Sequence, residues 1–206
     1  ERGVPLPFFG AVENHNTPRA AGRAGGERYA KYAFLVNSML PNSIPFIHSG
    51  FELGETTPVN TGLDFKNEDL LKLKGQPLPL FDIAGFDWMK KTTMYETTKR
   101  ILELRETYRP AVMAKSRESF VRLETGHPDV FAFLRRGGNQ NVMILLNRDL
   151  ENSQNCRIDL GSFISGNMVS LSDRLVSSNP QTFKLTSRVL QETIPPGESY
   201  FLAWPA

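Results

Sequence analysis

The pattern of apolar positions divides the chain into two parts. In the first part, short apolar runs at residues 6–12 and 44–48 alternate with segments whose apolar residues recur every three or four positions. The runs predict buried strands, and the recurring spacing predicts amphipathic helices over residues 27–40 and 92–108. This order of strand, helix, strand and helix is typical of two βα units from a parallel sheet or barrel.

Each predicted helix has an apolar face and a stop signal. Pro41 and Pro110 are expected to end the helices, because proline lacks the amide hydrogen that continues the ladder. Thr92 or Thr93 is expected to cap the second helix. The expected buried faces are Tyr29, Ala33, Val36 and Leu40 in the first helix and Met94, Ile101, Leu104 and Tyr108 in the second.

A long irregular stretch, residues 51–89, separates the second apolar run from the second helix. It is rich in Pro, Gly, Asn and Asp, with at most a helical turn at residues 68–73. Loops of this length inside a compact domain are usually functional or disordered. Glu52 and Glu55 are expected to anchor the loop. Its aromatic rings either line a groove or attach the loop to the strands beneath it, and they are Phe65, Phe81, Phe86 and Trp88.

After Ala114 the pattern changes to short β-rich runs without a helical period. Gly137-Gly138-Asn139 predicts a hairpin loop between the second and third runs. The runs are residues 120–124, 130–135, 141–147, 157–160, 168–171, 182–185, 189–194 and 199–204. Such spacing favours an antiparallel sandwich or barrel. We therefore expect a domain boundary near Ala114, with domains over residues 1–114 and 115–206.

Two parallel strands do not make a domain, because they expose both edges and much apolar surface. The first part of the chain is therefore expected to be incomplete. Glu1-Arg2-Gly3 offers neither an initiator methionine nor a signal-peptide pattern. We accordingly expect the chain to begin inside a longer protein.

Composition narrows the classes of partner. The chain has 206 residues, 40% hydrophobic and 22% charged, as in an ordinary globular protein, and a net charge of +2. Neither nucleic acid nor a membrane is an expected partner, since no strong basic field and no apolar run of about 20 residues is present. The pairs Lys90-Lys91 and Arg135-Arg136 are expected to be solvated. Cys156 stands alone, which predicts a buried apolar role and favours the cytosol.

The most informative block is Ala-Val-Glu-Asn-His-Asn-Thr-Pro-Arg, residues 11–19, which follows the first apolar run. It resembles the sugar-binding end of a barrel strand in the α-amylase family of glycoside hydrolases. The family pattern there is Asn-His-Asp, and Asn16 takes the place of the acid. Residues 44–54 are similar to the family's eighth-strand block, residues 102–111 to the end of its last barrel helix, and residues 130–147 to its first β-domain hairpin.

The resemblance implies an α/β part followed by an all-β part. Strands seven and eight of a (β/α)8 barrel, with their helices, would precede an antiparallel β-sandwich. The family's nucleophile and acid/base carboxylates lie on strands four and five, which this sequence does not contain. The resemblance therefore implies part of a retaining glycoside hydrolase or transglycosylase acting on α-1,4-glucans, inactive as an isolated chain. Its partners would be an α-glucan or maltooligosaccharide and the missing N-terminal part of the barrel. No cofactor is expected, although calcium is possible in the missing part.

The resemblance also assigns candidate site residues. Asn16 occupies the position of the acid that stabilises the transition state, unless it merely shapes a turn as Asn often does. His15 would donate to the sugar next to the scissile bond, or be an ordinary paired polar group. Arg19 would reach a sugar or hold the carboxylate of Glu13. The substrate-binding candidates are His15, Asn14, Arg19, His48 and Asp64, and no metal site is expected.

Asn16 leaves the function open between alternatives. An amide can bind a hydroxyl but cannot place negative charge beside a cationic transition state. Losing such a group costs about 2.7–4 kcal/mol, on the order of 10²–10³ in rate. Asn16 is then either a natural loss or a deliberate substitution. One alternative is a maltosyl-transferring enzyme, which residues 55–62 resemble, and another is a non-catalytic relative that binds glucan or a partner protein.

Overall fold

The structure is a computed structural model that describes residues 6–75, 78, 85–176 and 178–206. Within the described residues, the first part contains two parallel strands and four α-helices. They are β1 (Phe8–Ala11), α1 (Gly26–Met39), β2 (Ser43–Phe46), α2 (Asn67–Lys72), α3 (Thr93–Thr107) and α4 (Arg109–Val112). β1 and β2 pair in parallel, from Phe8 opposite Ser43 to Ala11 opposite Phe46. The predicted order of strand, helix, strand and helix is confirmed.

The residues described in the second part form eight strands in two antiparallel sheets. They are β3 (Phe120–Leu123), β4 (Val130–Gly137), β5 (Gln140–Asn147), β6 (Gln154–Asp159), β7 (Ser170–Ser172), β8 (Thr182–Thr186), β9 (Val189–Ile194) and β10 (Ser199–Pro205). The strand orders are β10-β5-β4-β3 and β6-β9-β8-β7. All eight predicted strands exist, with ends moved by a few residues. In the β4–β5 hairpin, Gly138 and Asn139 both have φ of +58°, as a type I′ turn requires.

The first strand differs from its prediction as a buried strand. Phe9 is 70% exposed and Ile44 is 47% exposed. The opposite face is covered: a Cβ on Gly10 would lie 3.0 Å from the carbonyl oxygen of Asn37 in α1. Glycine therefore lets β1 approach the helix closely. Within the described part of the chain β1 pairs only with β2, so its other edge is unpaired, and Phe9 is exposed on the face away from α1.

In the two long helices, the predicted apolar face and the observed buried residues agree to different degrees. In α3, Met94, Ile101 and Leu104 are buried as predicted, and Thr92 Oγ1 accepts from the N–H of Tyr95 at 3.0 Å as its cap. In α1 the predicted face is only half-buried. Its fully buried residues are Ala30, Phe34, Leu35, Ser38 and Met39. The face moves because α1 contacts not only β1 and β2 but also α3, β5 and β10.

Two apolar clusters form the core. One is shared by α1, α3 and the inner strands of the first sheet, and includes Phe34, Ile101 and Phe133. The other lies between the two sheets and includes Leu134 and the predicted buried Cys156. The first cluster draws on both sides of residue 114. None of the helices in the described ranges is long and apolar enough to cross a membrane.

Arg135 is not solvated, in contrast to the prediction. It is fully buried, and its Nη2 donates to the carbonyls of Val112 at 2.6 Å and Ala114 at 2.7 Å. The reason is strand alternation: Arg135 lies on the face of β4 that packs against α4. No carboxylate pairs with it among the described residues. Burial, helped by the charge of Arg105, lowers the pKa of Arg135 to about 10.

We expect Arg135→Met to lower the free energy of unfolding by about 1–3 kcal/mol, because two carbonyls at the end of α4 lose their donor. Urea denaturation followed by circular dichroism measures the change. Arg157→Met is the control, since Arg157 is exposed on β6, and it should shift stability by less than about 0.5 kcal/mol. Equal losses in the two variants would contradict a structural role for the Arg135 hydrogen bonds.

Candidate functional site

The block after β1 begins with a tight turn that Asn14 organises. Asn14 Oδ1 accepts from the N–H of Asn16 at 2.8 Å, and the N–H of Asn14 donates to Thr17 Oγ1 at 3.0 Å. These are the bonds by which Asn stabilises a turn. The oxygen of the Asn14 side chain is therefore committed to shaping the turn that presents His15 and Asn16.

A buried ion pair joins this turn to the loop after β2. Glu13 Oε1 accepts from Arg19 Nη1 at 2.7 Å, and Glu13 Oε2 accepts from the N–H of Ala20 at 2.5 Å. Arg19 Nη1 also donates to the carbonyl of Ser49 at 3.0 Å, and Arg19 Nε to that of Thr57 at 3.1 Å. Arg19 was expected either to reach a sugar or to hold the carboxylate of Glu13, and these contacts belong to the latter role.

Burial dominates the electrostatics of this pair. Arg19 is 1% exposed, and its guanidinium lies 5.8 Å from the centre of the Phe86 ring. Burial raises the pKa of Glu13, while the hydrogen bonds from Ala20 and Arg19 oppose the rise. The charge of Arg19 and the two hydrogen bonds thus stabilise a carboxylate that would otherwise be costly in this environment.

His48, two residues beyond the end of β2, contacts the guanidinium of Arg19. Its Nδ1 lies 2.5 Å from Arg19 Nη1 and 3.6 Å from Glu13 Oε1. Burial lowers the pKa of His48, and the positive charges of Arg19 and His15 lower it further, while Glu52 opposes them. His48 is therefore neutral at pH 7.

Asn16 is covered by the loop that follows β2. Asn60 Nδ2 donates to Asn16 Oδ1 at 3.4 Å, and a Cβ on Gly62 would lie 3.2 Å from Asn16 Cβ. Asn60 Oδ1 accepts from the N–H of Thr61 at 2.8 Å, which orients the amide so that its nitrogen faces Asn16. Asn60 was missed by the sequence analysis, although its segment, residues 55–62, had been singled out.

The predicted site residues do not all come together. His15 is exposed, and its charge acts on His48. Asp64 lies apart: its side chain is 68% exposed, and its Oδ2 is 4.0 Å from Nη2 of Arg23. Within the described ranges no hydrogen bond or ion pair links Asp64 to Asn16 or His48. A sugar contact by Asp64 therefore stays a prediction, which no contact between Asp64 and these two residues supports.

The aromatic and acidic residues of the long loop divide between the expected roles. Glu55 Oε1 accepts from the N–H groups of Thr56 and Thr57 at 2.8 and 2.7 Å, and both bonds stay within three consecutive residues of the loop, so anchoring by Glu55 stays a prediction. Phe86 is half-buried and meets Trp88 edge-on at 5.4 Å, and Trp88 is exposed. Phe81 lies outside the described residues. Among those that are described, no three His, Cys, Asp or Glu side chains form a group that could hold a metal ion.

Comparisons with known proteins give a match at the level of structure alone. No protein-family model and no curated protein matches the sequence. A maltogenic α-amylase, AmyB from Thermotoga neapolitana, matches with a TM-score of 0.65 at 15% identity, over 97% of this chain and 41% of that one. The γ-CGTase of Bacillus clarkii matches at 0.62 with 17% identity, over 96% and 26%. Over its length the chain shares the fold of part of these α-amylase-family enzymes.

A third structure, AmyP E221Q in complex with maltotriose, matches with a TM-score of 0.61 at 13% identity, over 95% of this chain and 41% of that one. The chain thus spans about two fifths or less of the length of these α-amylase-family proteins. At these identities the likeness shows a shared fold alone. The mixed α/β part followed by antiparallel sheets is that of the matched enzymes over this length.

The lowered pKa of His48 predicts how the free energy of unfolding depends on pH. Because the folded state lowers this pKa below its ordinary value of 6.5, the unfolded state binds the proton more readily. We expect the free energy of unfolding to fall as the pH drops below about 6.5, and to be unaffected by this group above that value. Urea denaturation at steps from pH 8 to pH 5 measures it.

His48→Asn is the informative variant, because it removes the titrating ring and keeps an acceptor for Arg19. It should flatten the fall in stability between pH 6.5 and pH 5. His127→Gln, in a turn of the second part, should keep the wild-type slope. A slope unchanged in His48→Asn would contradict the lowered pKa.

Proposed function

We propose that the chain is the C-terminal part of an α-amylase-family enzyme. Residues 1–114 would supply strands seven and eight of a (β/α)8 barrel with their helices, and residues 115–206 would form an antiparallel β-sandwich. The match over nearly the whole chain supports this arrangement. So do the parallel pairing of β1 with β2 and the exposed faces of Phe9 and Ile44, which further strands of a barrel would cover.

The proposed ligand is an α-glucan or maltooligosaccharide. The observation that carries this proposal is the position of Asn14, His15 and Asn16 directly beyond the carboxyl end of β1, in contact with the loop that follows β2. Barrel enzymes place their sites at that end of the strands. AmyP, which shares this fold, is in complex with maltotriose. In this proposal His15 and His48 supply donors to the sugar, and Asn16 binds a hydroxyl.

The proposed chemistry is cleavage or transfer at α-1,4 linkages with retention. Such reactions use two carboxylates about 5–5.5 Å apart. The two acids would come from barrel strands outside this sequence, so the isolated chain would be inactive. Transfer in place of hydrolysis is the nearest alternative, and the loop of residues 55–62, which covers Asn16 through Asn60, is the segment that would shape an acceptor site.

A non-catalytic glucan-binding protein is the second candidate, and Asn16 is the observation that favours it. The hydrogen bond from Asn60 uses the oxygen of Asn16, so a carboxylate at this position would accept it equally well. The local structure therefore does not require the amide. Replacement of Asn16 by Asp restores the charge without breaking a contact.

We expect Asn16→Asp in the complete protein to raise kcat on maltooligosaccharides by on the order of 10²–10³, because a negative charge returns beside a cationic transition state. Steady-state release of reducing ends measures this. Asn14→Asp is the matched control, since it adds the same charge where Oδ1 only closes the turn, and it should not raise kcat.

The outcomes separate the two candidates. Binding of maltotriose by calorimetry with no turnover in Asn16→Asp supports the non-catalytic protein. Absence of both binding and turnover contradicts either form of the proposal.

The barrel assignment makes a separate prediction for Phe9. In the isolated chain, Phe9→Asp should change the free energy of unfolding by less than about 0.5 kcal/mol, because the ring is already exposed. In the complete protein the same change should cost more than about 3 kcal/mol, since it would bury a charge between strands. Val169→Asp, equally exposed in the second part, should be neutral in both. A neutral Phe9→Asp in the complete protein would contradict a covered β1 face.

A further inference from the structure

We infer that Glu13 and Arg19 are positioning residues that hold His48 in the tautomer whose only ring N–H is on Nε2. In this arrangement Nδ1 accepts from Arg19, the single ring proton is on Nε2, and that N–H is offered to a saccharide oxygen. The saccharide part of the inference rests on the proposed function, and the positioning part does not.

The direction of the Arg19–His48 contact follows from the chemistry of the two groups. Arg19 Nη1 carries two hydrogens and has three acceptors around it, Glu13 Oε1 at 2.7 Å, Ser49 O at 3.0 Å and His48 Nδ1 at 2.5 Å, so one hydrogen is shared between two of them. A guanidinium nitrogen cannot accept a hydrogen bond, so its contact with Nδ1 leaves no room for a hydrogen on Nδ1. Nδ1 must then present its lone pair and carry no hydrogen. A neutral imidazole has one ring proton, which leaves it on Nε2.

Glu13 would impose the opposite tautomer if it touched the ring itself, because a carboxylate next to a histidine normally accepts from Nδ1–H. Here the distance from Glu13 Oε1 to Nδ1 is 3.6 Å, too long for a hydrogen bond. Both carboxylate oxygens are occupied, one by Arg19 and the other by the N–H of Ala20. Because the guanidinium lies between Glu13 and the ring, His48 takes the tautomer opposite to the one that a carboxylate in direct contact would favour.

The other groups around His48 keep it from gaining a second proton. Burial lowers the pKa of the His48 ring, the charges of Arg19 and His15 lower it further, and Glu52 opposes them. The Nε2 atom has no hydrogen-bond partner in the described part of the chain, and 14% of the side chain is accessible to solvent. A donor in a fixed tautomer is therefore available at the ends of β1 and β2, where the saccharide is proposed to bind.

Nuclear magnetic resonance of the complete protein labelled with ¹⁵N-histidine tests the tautomer directly. The chain contributes three histidines, and the resonances missing from a His48→Asn sample assign the ring. We expect His48 to show an unprotonated Nδ1 and a protonated Nε2 from pH 8 down to pH 7. A protonated Nδ1, an averaged mixture of tautomers, or a predominant imidazolium at pH 7 would overturn the inference.

Two variants separate positioning from mere packing. Arg19→Lys keeps a charged donor and should preserve the tautomer. Arg19→Met combined with Glu13→Gln removes the donor without leaving an unpaired buried carboxylate, and should give averaged Nδ1 and Nε2 signals with a His48 midpoint shifted to higher pH. A wild-type spectrum for His48 in the folded double variant would overturn the role of Arg19. If the double variant does not fold, the wild-type and Arg19→Lys spectra decide.

Addition of maltotriose distinguishes this inference from the proposed function. A shift of the His48 Nε2 resonance, with no shift at His127, supports both. If the wild-type tautomer is as stated and maltotriose moves neither resonance, the positioning by Glu13 and Arg19 stands and saccharide binding at this site fails. If Nδ1 carries the proton, the inference fails whatever maltotriose does.

Discussion

The site depends on one buried ion pair. Arg19 holds Glu13 from the turn after β1, and with the same guanidinium it binds the carbonyls of Ser49 and Thr57 in the loop after β2. Removing either charge would leave the other buried and uncompensated, which typically costs about 3–5 kcal/mol. The path of the loop, the ring of His48 and the cover over Asn16 therefore all depend on residues placed next to one short strand.

Arginines also connect the helices to the rest of the fold. Arg135 satisfies two carbonyls at the end of α4, and Arg105 donates to the carbonyls of Ser38 and Ser43, at the end of α1 and the start of β2. The inner strands of the first sheet are covered on one face by the second sheet and on the other by α1 and α3. The helix α1, which packs on β1 and β2, is thus held against a sheet that is itself buried on both faces.

Much of this architecture was predictable because its signals are local. The eight β-runs, the Gly138-Asn139 turn and the Thr92 cap each depend on a few neighbouring residues. The contacts that build the site are not local. Arg19 meets His48 across 29 positions, and Asn60 meets Asn16 across 44, so no window of sequence contains both partners. For the same reason Arg135, beside a turn in sequence, was wrongly predicted to be solvated.

By itself the sequence determined the order of the elements and the residues that follow β1, because hydrophobic period and turn chemistry act within a few positions of the chain. Only the tertiary structure decided that Arg19 holds Glu13, that Asn60 covers Asn16 and that His48 accepts from a guanidinium. Burial and the direction of a hydrogen bond are set by groups that folding brings together from distant positions. A charged side chain such as Arg135, which the sequence predicts to be solvated, forms structural hydrogen bonds when folding buries it away from water.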